Sequence, residues 1–563
     1  MKFSEYPYER PDTEALKSKI SVLSAKLKEA ADYSAVKDAF LGMDQLEKKI
    51  HTLSALSYIR HSLDTKDEFY DAEQKFWNAA GPELQEYTQQ FKRIMMESPF
   101  RPELEEEFGS IVFKYLELEI RSFSPEIISC MQQENDLVQE YNKLIAEAKV
   151  EFEGKIYPIP MMTPFKKDPD DARRLAAWKA EGRWYKDHQA DLDRIYDNLV
   201  HLRDTMGKTL GHKDYTELGY DRMERVCYRR KDVEKFRKAV RKHLVPVADS
   251  IYRKQAERLG MPYPLSFADM ALEFRDGNPS PVGDEEQILA NGQAFYDALS
   301  PETGSFFRMM RENELLDVFS REGKENGGYC EGLPSFGVPF IFANFNGTQG
   351  DVEVVTHEAG HAFAYYLNKD RVPESTIWPG MEACEVHSMS MEFFAWPWAE
   401  TFFGKDTQKY LYSHLASALT FIPYGTLVDH FQHEVYEKPE MTPQERHNVW
   451  KELLGVYMPW VRLDGEIPFY SDGEGWQRQL HIYNYPFYYI DYCLAQTVSL
   501  EFWAMIQKDL KEAWRKYRTY AGLGGSEVFT ELLRKSGLQS PFDEECLKNV
   551  SKEAALWLEN FRF

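Results

Sequence analysis

The chain has 563 residues, enough for a large core and for two or more lobes. Hydrophobic residues make up 43%, which excludes a disordered chain, and the net charge of −24 repels phosphate backbones, so nucleic acid is not an expected partner. Six dispersed cysteines without a C-x-x-C pair imply reduced thiols and a cytoplasmic location. Residues 1–10 hold no apolar signal-peptide core, and no run of about 18 apolar residues occurs, so no membrane association is expected.

The first 150 residues read as amphipathic helices. Leu16, Ile20, Leu23 and Leu27 recur at helical spacing after a cap near Asp12. Phe152 to Tyr157, with Gly154 between short apolar flanks, reads as a hairpin. Asp168 is expected to cap the next helix, with Pro169 at its first position and Asp170 and Asp171 in its first turn, where the helix dipole favours acids. Glycine- and proline-rich loops follow at 276–284 and 323–328. The apolar, aromatic run Phe336–Phe345 reads as a strand. Pro339 cannot donate to a ladder, so an edge position is expected, where free backbone groups can pair with an extended peptide.

The chemistry begins at His357-Glu-Ala-Gly-His361. In a helix, residues four apart stack on one face, so two imidazoles lie side by side with Glu358 beside them, the H-E-x-x-H arrangement of zinc peptidases. Gly347, Gly350 and Asp351 lead into this helix, Asp351 being expected to accept from its first free N–H groups. Asn368 and Pro373 mark its end. A catalytic zinc takes a third protein ligand and keeps one open position. The position six residues after His361 is Leu367, which excludes a third histidine there. The next helix, Met381–Glu392, offers Glu382, Glu385 and Glu392, and spacing alone leaves all three open. Further on, two close glycines in Ser471–Gly475 permit hinge-like backbone states. The run His481–Tyr492 is rich in tyrosine, which by itself fits core packing as well as chemistry.

Three blocks together resemble the thimet oligopeptidase / oligoendopeptidase F family of zinc metallopeptidases, in its small bacterial branch. They are Val352-Glu-Val-Val-Thr-His-Glu-Ala-Gly-His361, Glu385-Val-His-Ser-Met-Ser-Met-Glu392 and His481-Ile-Tyr-Asn-Tyr-Pro-Phe-Tyr-Tyr-Ile-Asp-Tyr492. The resemblance implies His357, His361 and Glu385 as ligands to one Zn2+ per chain, and Glu392 as a residue that orients a ligand. It implies Glu358 as general base and His481, Tyr485, Tyr489 and Tyr492 as transition-state donors, with Tyr488 fitting some relatives as well. Ala343 and Asn344 become substrate contacts. His387 departs from the family pattern, standing where many relatives have proline, and is left out of the ligand set.

The fold so implied is mostly α: two helical lobes facing across a deep substrate channel, with a small edge-strand sheet beside the zinc helix. Residues 1–150 would form the N-terminal lobe and residues 151–563 the catalytic region, the lobes interleaved. The implied activity is endopeptidase cleavage of short peptides by a monomer or weak oligomer. Two rivals are a zinc aminopeptidase and a non-catalytic helical zinc-binding protein. The first lacks its amine-holding G-x-M-E-N-like element before the metal helix. The second would need a fourth ligand, for which Cys384 and His387 are the nearby side chains.

Overall fold

The computed structural model describes residues 1–464 and 466–562. Helices dominate it, and the strands are few and short. Helix α1 (Thr13–Glu29) starts at Asp12, whose carboxylate accepts from the Ala15 N–H, and it buries Leu16, Ile20 and Leu27. Helices α2 (Tyr33–Leu63) and α3 (Glu68–Glu97) start in the same way at Asp32 and Asp67. These helices, with Arg101–Phe108 and Ser110–Arg121, enclose an apolar cluster of their own that includes Ile20, Met43, Trp77, Phe91, Ile111 and Phe113.

Helix α2 has 31 residues, a length of roughly 46 Å at 1.5 Å per residue. Its first half, through Val36, Phe40 and Met43, belongs to that cluster. Its second half, through Ala55, Leu56 and Ile59, belongs to the main core. One rigid rod therefore joins the N-terminal helices to the rest of the molecule.

The hairpin pairs Val150 with Tyr157 and Phe152 with Lys155, and Glu153 and Gly154 turn it with positive φ. The following helix starts two residues later than expected, at Asp171. Asp170 is its cap, accepting from the N–H groups of Ala172 and Arg173 at 2.9 and 3.0 Å. Asp168 instead accepts from the Asp170 N–H and pairs with Arg173, so Pro169 lies outside the helix.

A three-stranded sheet supports the centre of the molecule: β1 (Leu316–Phe319), β2 (Tyr329–Leu333) and β3 (Val338–Phe345), in the order β1-β3-β2. The expected edge strand β3 is thus the middle strand, parallel to β1 and antiparallel to β2. Pro339 is tolerated because β1 pairs with β3 only from Ile341 onward, so no ladder bond is lost at the proline. The edges belong to β1 and β2.

Helix α4 (Gly350–Asn368) follows the sheet, then α5 (Met381–Phe394), α6 (Thr407–Glu437) and α7 (Tyr489–Ile506). Asp351 does not cap α4. It sits in the first turn and reaches back to accept from the N–H groups of Asn346 and Gly347, at 2.9 and 2.8 Å, closing the turn ahead of the helix. Helix α7 is buried on nearly every face, Asp491, Gln496, Thr497 and Ser499 as well as Ile490, Leu494, Val498 and Phe502, as a helix enclosed by others must be. It packs on α5, where Ser390 and Ser499 hydroxyls meet at 3.0 Å.

Candidate metal centre and active site

Helices α4 and α5 bring His357, His361 and Glu385 together, with one ligand atom from each lying within 4.8 Å of the others. Glu385 Oε2 is 3.2 Å from His357 Nε2 and 3.4 Å from His361 Nε2. This approach depends on Gly360. A Cβ there would stand 2.7 Å from the His387 carbonyl oxygen and 2.7 Å from the Ser388 Cα, so only glycine lets α5 lie this close.

The hydrogen bonds around the triad fix its tautomers. Trp396 Nε1–H donates to His414 Nδ1 at 2.8 Å, so His414 carries its proton on Nε2 and donates it to Glu392 Oε2 at 2.8 Å. The other oxygen of Glu392 accepts from His357 Nδ1 at 2.7 Å. His357 Nε2 is then the nitrogen that faces Glu385 and is left to bind a metal. Ser388 and Tyr488 hydroxyls donate to the two oxygens of Glu385. Burial alone would raise the Glu385 carboxyl, but the His361 and His357 imidazoles outweigh it and hold the group well below its ordinary value. Two imidazoles and one carboxylate on adjacent helices are a donor set that fits zinc. His387 is buried behind this set, its ring against Tyr520, and is not one of the three grouped donors.

Glu358 lies on the same helical turn and is 6% exposed, with Oε2 free of any hydrogen-bond partner. Burial pushes its carboxyl above the ordinary value, while His357 and His361 oppose the shift. The backbone at Gly328, just before β2, comes so close that a Cβ there would be 3.2 Å from Glu358 Oε1. Ala343 and Asn344 support this segment from behind. Ala343 is buried and its carbonyl accepts from Lys324 Nζ. The Asn344 amide donates to the carbonyls of Glu325 and Gly327, both at 2.9 Å.

The tyrosine run separates by position. Tyr485 is 49% exposed. Tyr489 starts α7, and its ring packs against His481 at 5.2 Å, Tyr492 at 5.4 Å and Tyr424 at 5.9 Å. Tyr492 meets His481, whose Nε2 is 3.1 Å from the Tyr492 hydroxyl. Gln479 donates to His481 Nδ1 at 3.1 Å, so the imidazole proton is on Nε2 and the Tyr492 hydrogen is free to donate elsewhere. Burial pushes His481 down to about 4, so it is neutral near pH 7. The tyrosine in contact with the metal-ligand set is Tyr488, through Glu385. His414, on α6, reaches the site from further along the sequence, and Trp396, just past the end of α5, orients it. The loop with the two glycines is packed: Gly473 has φ +86°, and a Cβ on it would be 2.7 Å from the His447 carbonyl oxygen.

Residues 3–123 match the peptidase M3 N-terminal domain and residues 302–552 match peptidase family M3. The oligopeptidase PepF of Bacillus subtilis (strain 168) is 24% identical over 259 residues, which span 44% of this chain and 38% of that protein, so the chain matches little more than a third of this curated relative. A solved structure assigned to oligoendopeptidase F is 42% identical with a TM-score of 0.98, covering 100% of this chain and 99% of its own. PZ peptidase A, solved with an inhibitor, is 43% identical with a TM-score of 0.98 over 99% of both chains. A Bacillus anthracis (strain Ames) chain assigned to oligoendopeptidase F is 40% identical with a TM-score of 0.93, over 99% of this chain and 98% of its own. By its sequence, its helical fold and these full-length likenesses, the chain belongs to peptidase family M3, in the oligoendopeptidase F group.

Proposed function

We propose that the chain is a zinc-dependent endopeptidase that hydrolyses internal bonds of short oligopeptides, in the cytoplasm. The observation that carries this reading is the convergence of His357, His361 and Glu385 with Glu358 on the same turn, the His357 tautomer being held by Glu392. When bound by these three residues, zinc supplies Lewis acidity, which lowers the pKa of a water from about 15.7 toward 7 and polarises a carbonyl.

The remaining work falls to the chain. Glu358 takes the proton of the attacking water and passes it to the leaving nitrogen; its partner-free Oε2 and raised affinity for a proton suit both steps. The oxyanion that develops needs a donor opposite the metal. Tyr492, with its hydrogen released by the His481 tautomer, and Tyr488, beside Glu385, are the groups within reach. An extended peptide pairing with the backbone of Gly328–Cys330 at the β2 edge would lay a carbonyl beneath Glu358. A channel between the N-terminal helices and the catalytic region would limit substrates to unfolded peptides. The six unpaired cysteines support a reducing compartment, and no helix among the described residues is long and apolar enough to cross a membrane.

The test is Glu358→Gln. Zinc content should equal that of the parent while turnover of an N-acetylated peptide falls by roughly 100- to 10,000-fold. Parental turnover in the variant, or turnover in the parent that survives removal of its metal by a chelator, would overturn the reading.

A further inference from the structure

A cavity of about 210 Å3, lined by none of the residues of the proposed active site, opens between helix Arg230–Ala239, the C-terminal end of α6 and helix Pro443–Tyr457. In a chain of net charge −24 its wall is basic. Arg230, Arg237, Lys238 and Arg241 line it, all from one helix and the π turn Val240–Leu244 that continues it. Arg237 and Arg241 are four residues apart, a spacing at which like charges lower stability. A π turn is rare and occurs mostly at functional sites.

The glutamates of this wall are already engaged. Glu234 and Glu437 pair with Arg230, and Glu434 accepts from Lys438 Nζ at 3.0 Å. Arg237 is different. It is 7% exposed, and its Nη1 has no hydrogen-bond partner. The carboxylate it faces is Asp429, whose Oδ2 is 3.6 Å from Nη1, beyond bonding distance. Asp429 is fully buried, and neither of its oxygens accepts a hydrogen bond. Lys238 and Arg241 are exposed and pair with no acid among the described residues.

Three cations therefore face one carboxylate, a surplus of two positive charges. The two histidines on the wall, His430 and His433, do not alter the sum. Burial first, and the Arg237 charge second, push both below the ordinary value, so they are neutral near pH 7.

This surplus matches a dianion. A buried guanidinium fork with two further cations above it suits a group that offers three oxygens, which a phosphate has and a carboxylate lacks. The volume also restricts the ligand. Pockets for drug-sized molecules start at roughly 300 Å3, so this one admits phosphate or a small phosphomonoester and is too small for a nucleotide.

We propose that this cavity is a binding site for a phosphate group, free or as the monoester of a small metabolite, with Arg237 at its floor and Lys238 and Arg241 at its rim.

Calorimetry with inorganic phosphate on the zinc-loaded protein, against chloride at the same ionic strength, tests this without any measure of hydrolysis. One phosphate per chain should bind saturably, and the unfolding midpoint should rise with phosphate concentration by mass action. Arg237→Gln should weaken binding by roughly tenfold or more. Should that variant fail to fold, the double variant Lys238→Gln, Arg241→Gln, changed only at exposed positions, should weaken binding by a similar factor. Absence of saturable binding in the parent overturns the inference. Parental affinity in either variant overturns it too, because the phosphate would then sit elsewhere, at the metal for example. Glycerol 3-phosphate in the same assay separates the two sources of the group. Tighter binding than inorganic phosphate assigns the site to a monoester, and weaker binding assigns it to free phosphate.

Discussion

Glu392 accepts a 2.7 Å hydrogen bond from His357 Nδ1, and by doing so turns the opposite nitrogen of that ring into the one that can bind a metal. Glutamate at this position does more than neutralise charge. Its second oxygen accepts from His414 at 2.8 Å, which in turn is oriented by Trp396. Glu392→Gln would present an amide N–H where an acceptor is required, and the His357 ring would be free to take the wrong tautomer. Zinc affinity should fall by about 10- to 100-fold, measured by competition with a chromophoric chelator. His414→Ala should weaken binding in the same direction but less. Parental affinity in Glu392→Gln would rule out this account of the ring's orientation.

Gly360 controls the distance between the two ligand-bearing helices. The obstacles to a Cβ are backbone atoms of α5, the His387 oxygen and Ser388 Cα, both at 2.7 Å, and backbone cannot rotate aside as a side chain can. Gly360→Ala should force α4 and α5 apart. We expect about 1–3 kcal/mol lower stability from overpacking, together with loss of bound zinc, read by denaturant unfolding and metal analysis. An alanine variant that holds zinc as the parent does would show that Glu385 can follow the displaced helix.

Tyr488→Phe and Tyr492→Phe should each lower kcat by roughly 100- to 1,000-fold with little change in KM, the signature of a lost transition-state donor. Tyr489→Phe should have a smaller effect, since its ring packs among His481, Tyr492 and Tyr424 while the hydroxyl that bonds Glu385 is that of Tyr488. Steady-state kinetics of the three variants on one peptide decides the order. A larger loss in Tyr489→Phe than in Tyr488→Phe would reverse the assignment of donors.

The same tyrosines mark how far the sequence could be read. His357, His361 and Glu385 were accessible because α-helical periodicity and the family pattern both apply within α4 and α5. The spacing of Tyr485, Tyr489 and Tyr492 also suggests one helical face, but α7 begins only at Tyr489. Residues 485–488 form a turn in which Phe487 has φ +68°, and that turn delivers Tyr488 to Glu385. A left-handed residue has no signature in a run of aromatics. His414 was illegible for another reason: it acts through Glu392 and Trp396, contacts made only in space, and periodicity carries no information about them. Pro339 misled because a proline reads as an edge marker, whereas here the neighbouring strand simply ends before it.

His51 links α2 to the catalytic region and gives that junction a pH dependence. Its Nδ1 meets Glu374 and its Nε2 lies 3.3 Å from Glu331 Oε1 on β2. Burial disfavours the charged ring, but hydrogen bonds and charge from Glu331 and Glu374 prevail and push it up to about 10. A pKa raised on folding contributes stability that is complete below the unfolded value near 6.5 and is lost as pH rises through the folded value. The side chain is 37% exposed, so after solvent screening the contribution is on the order of 1 kcal/mol. The parent should therefore be more stable than His51→Gln at pH 6, by less at pH 8, and by nothing above pH 10, in denaturant midpoints taken across the series. A difference that stays constant from pH 6 to pH 10 would mean that the ring holds the junction by packing, and that its charge contributes nothing.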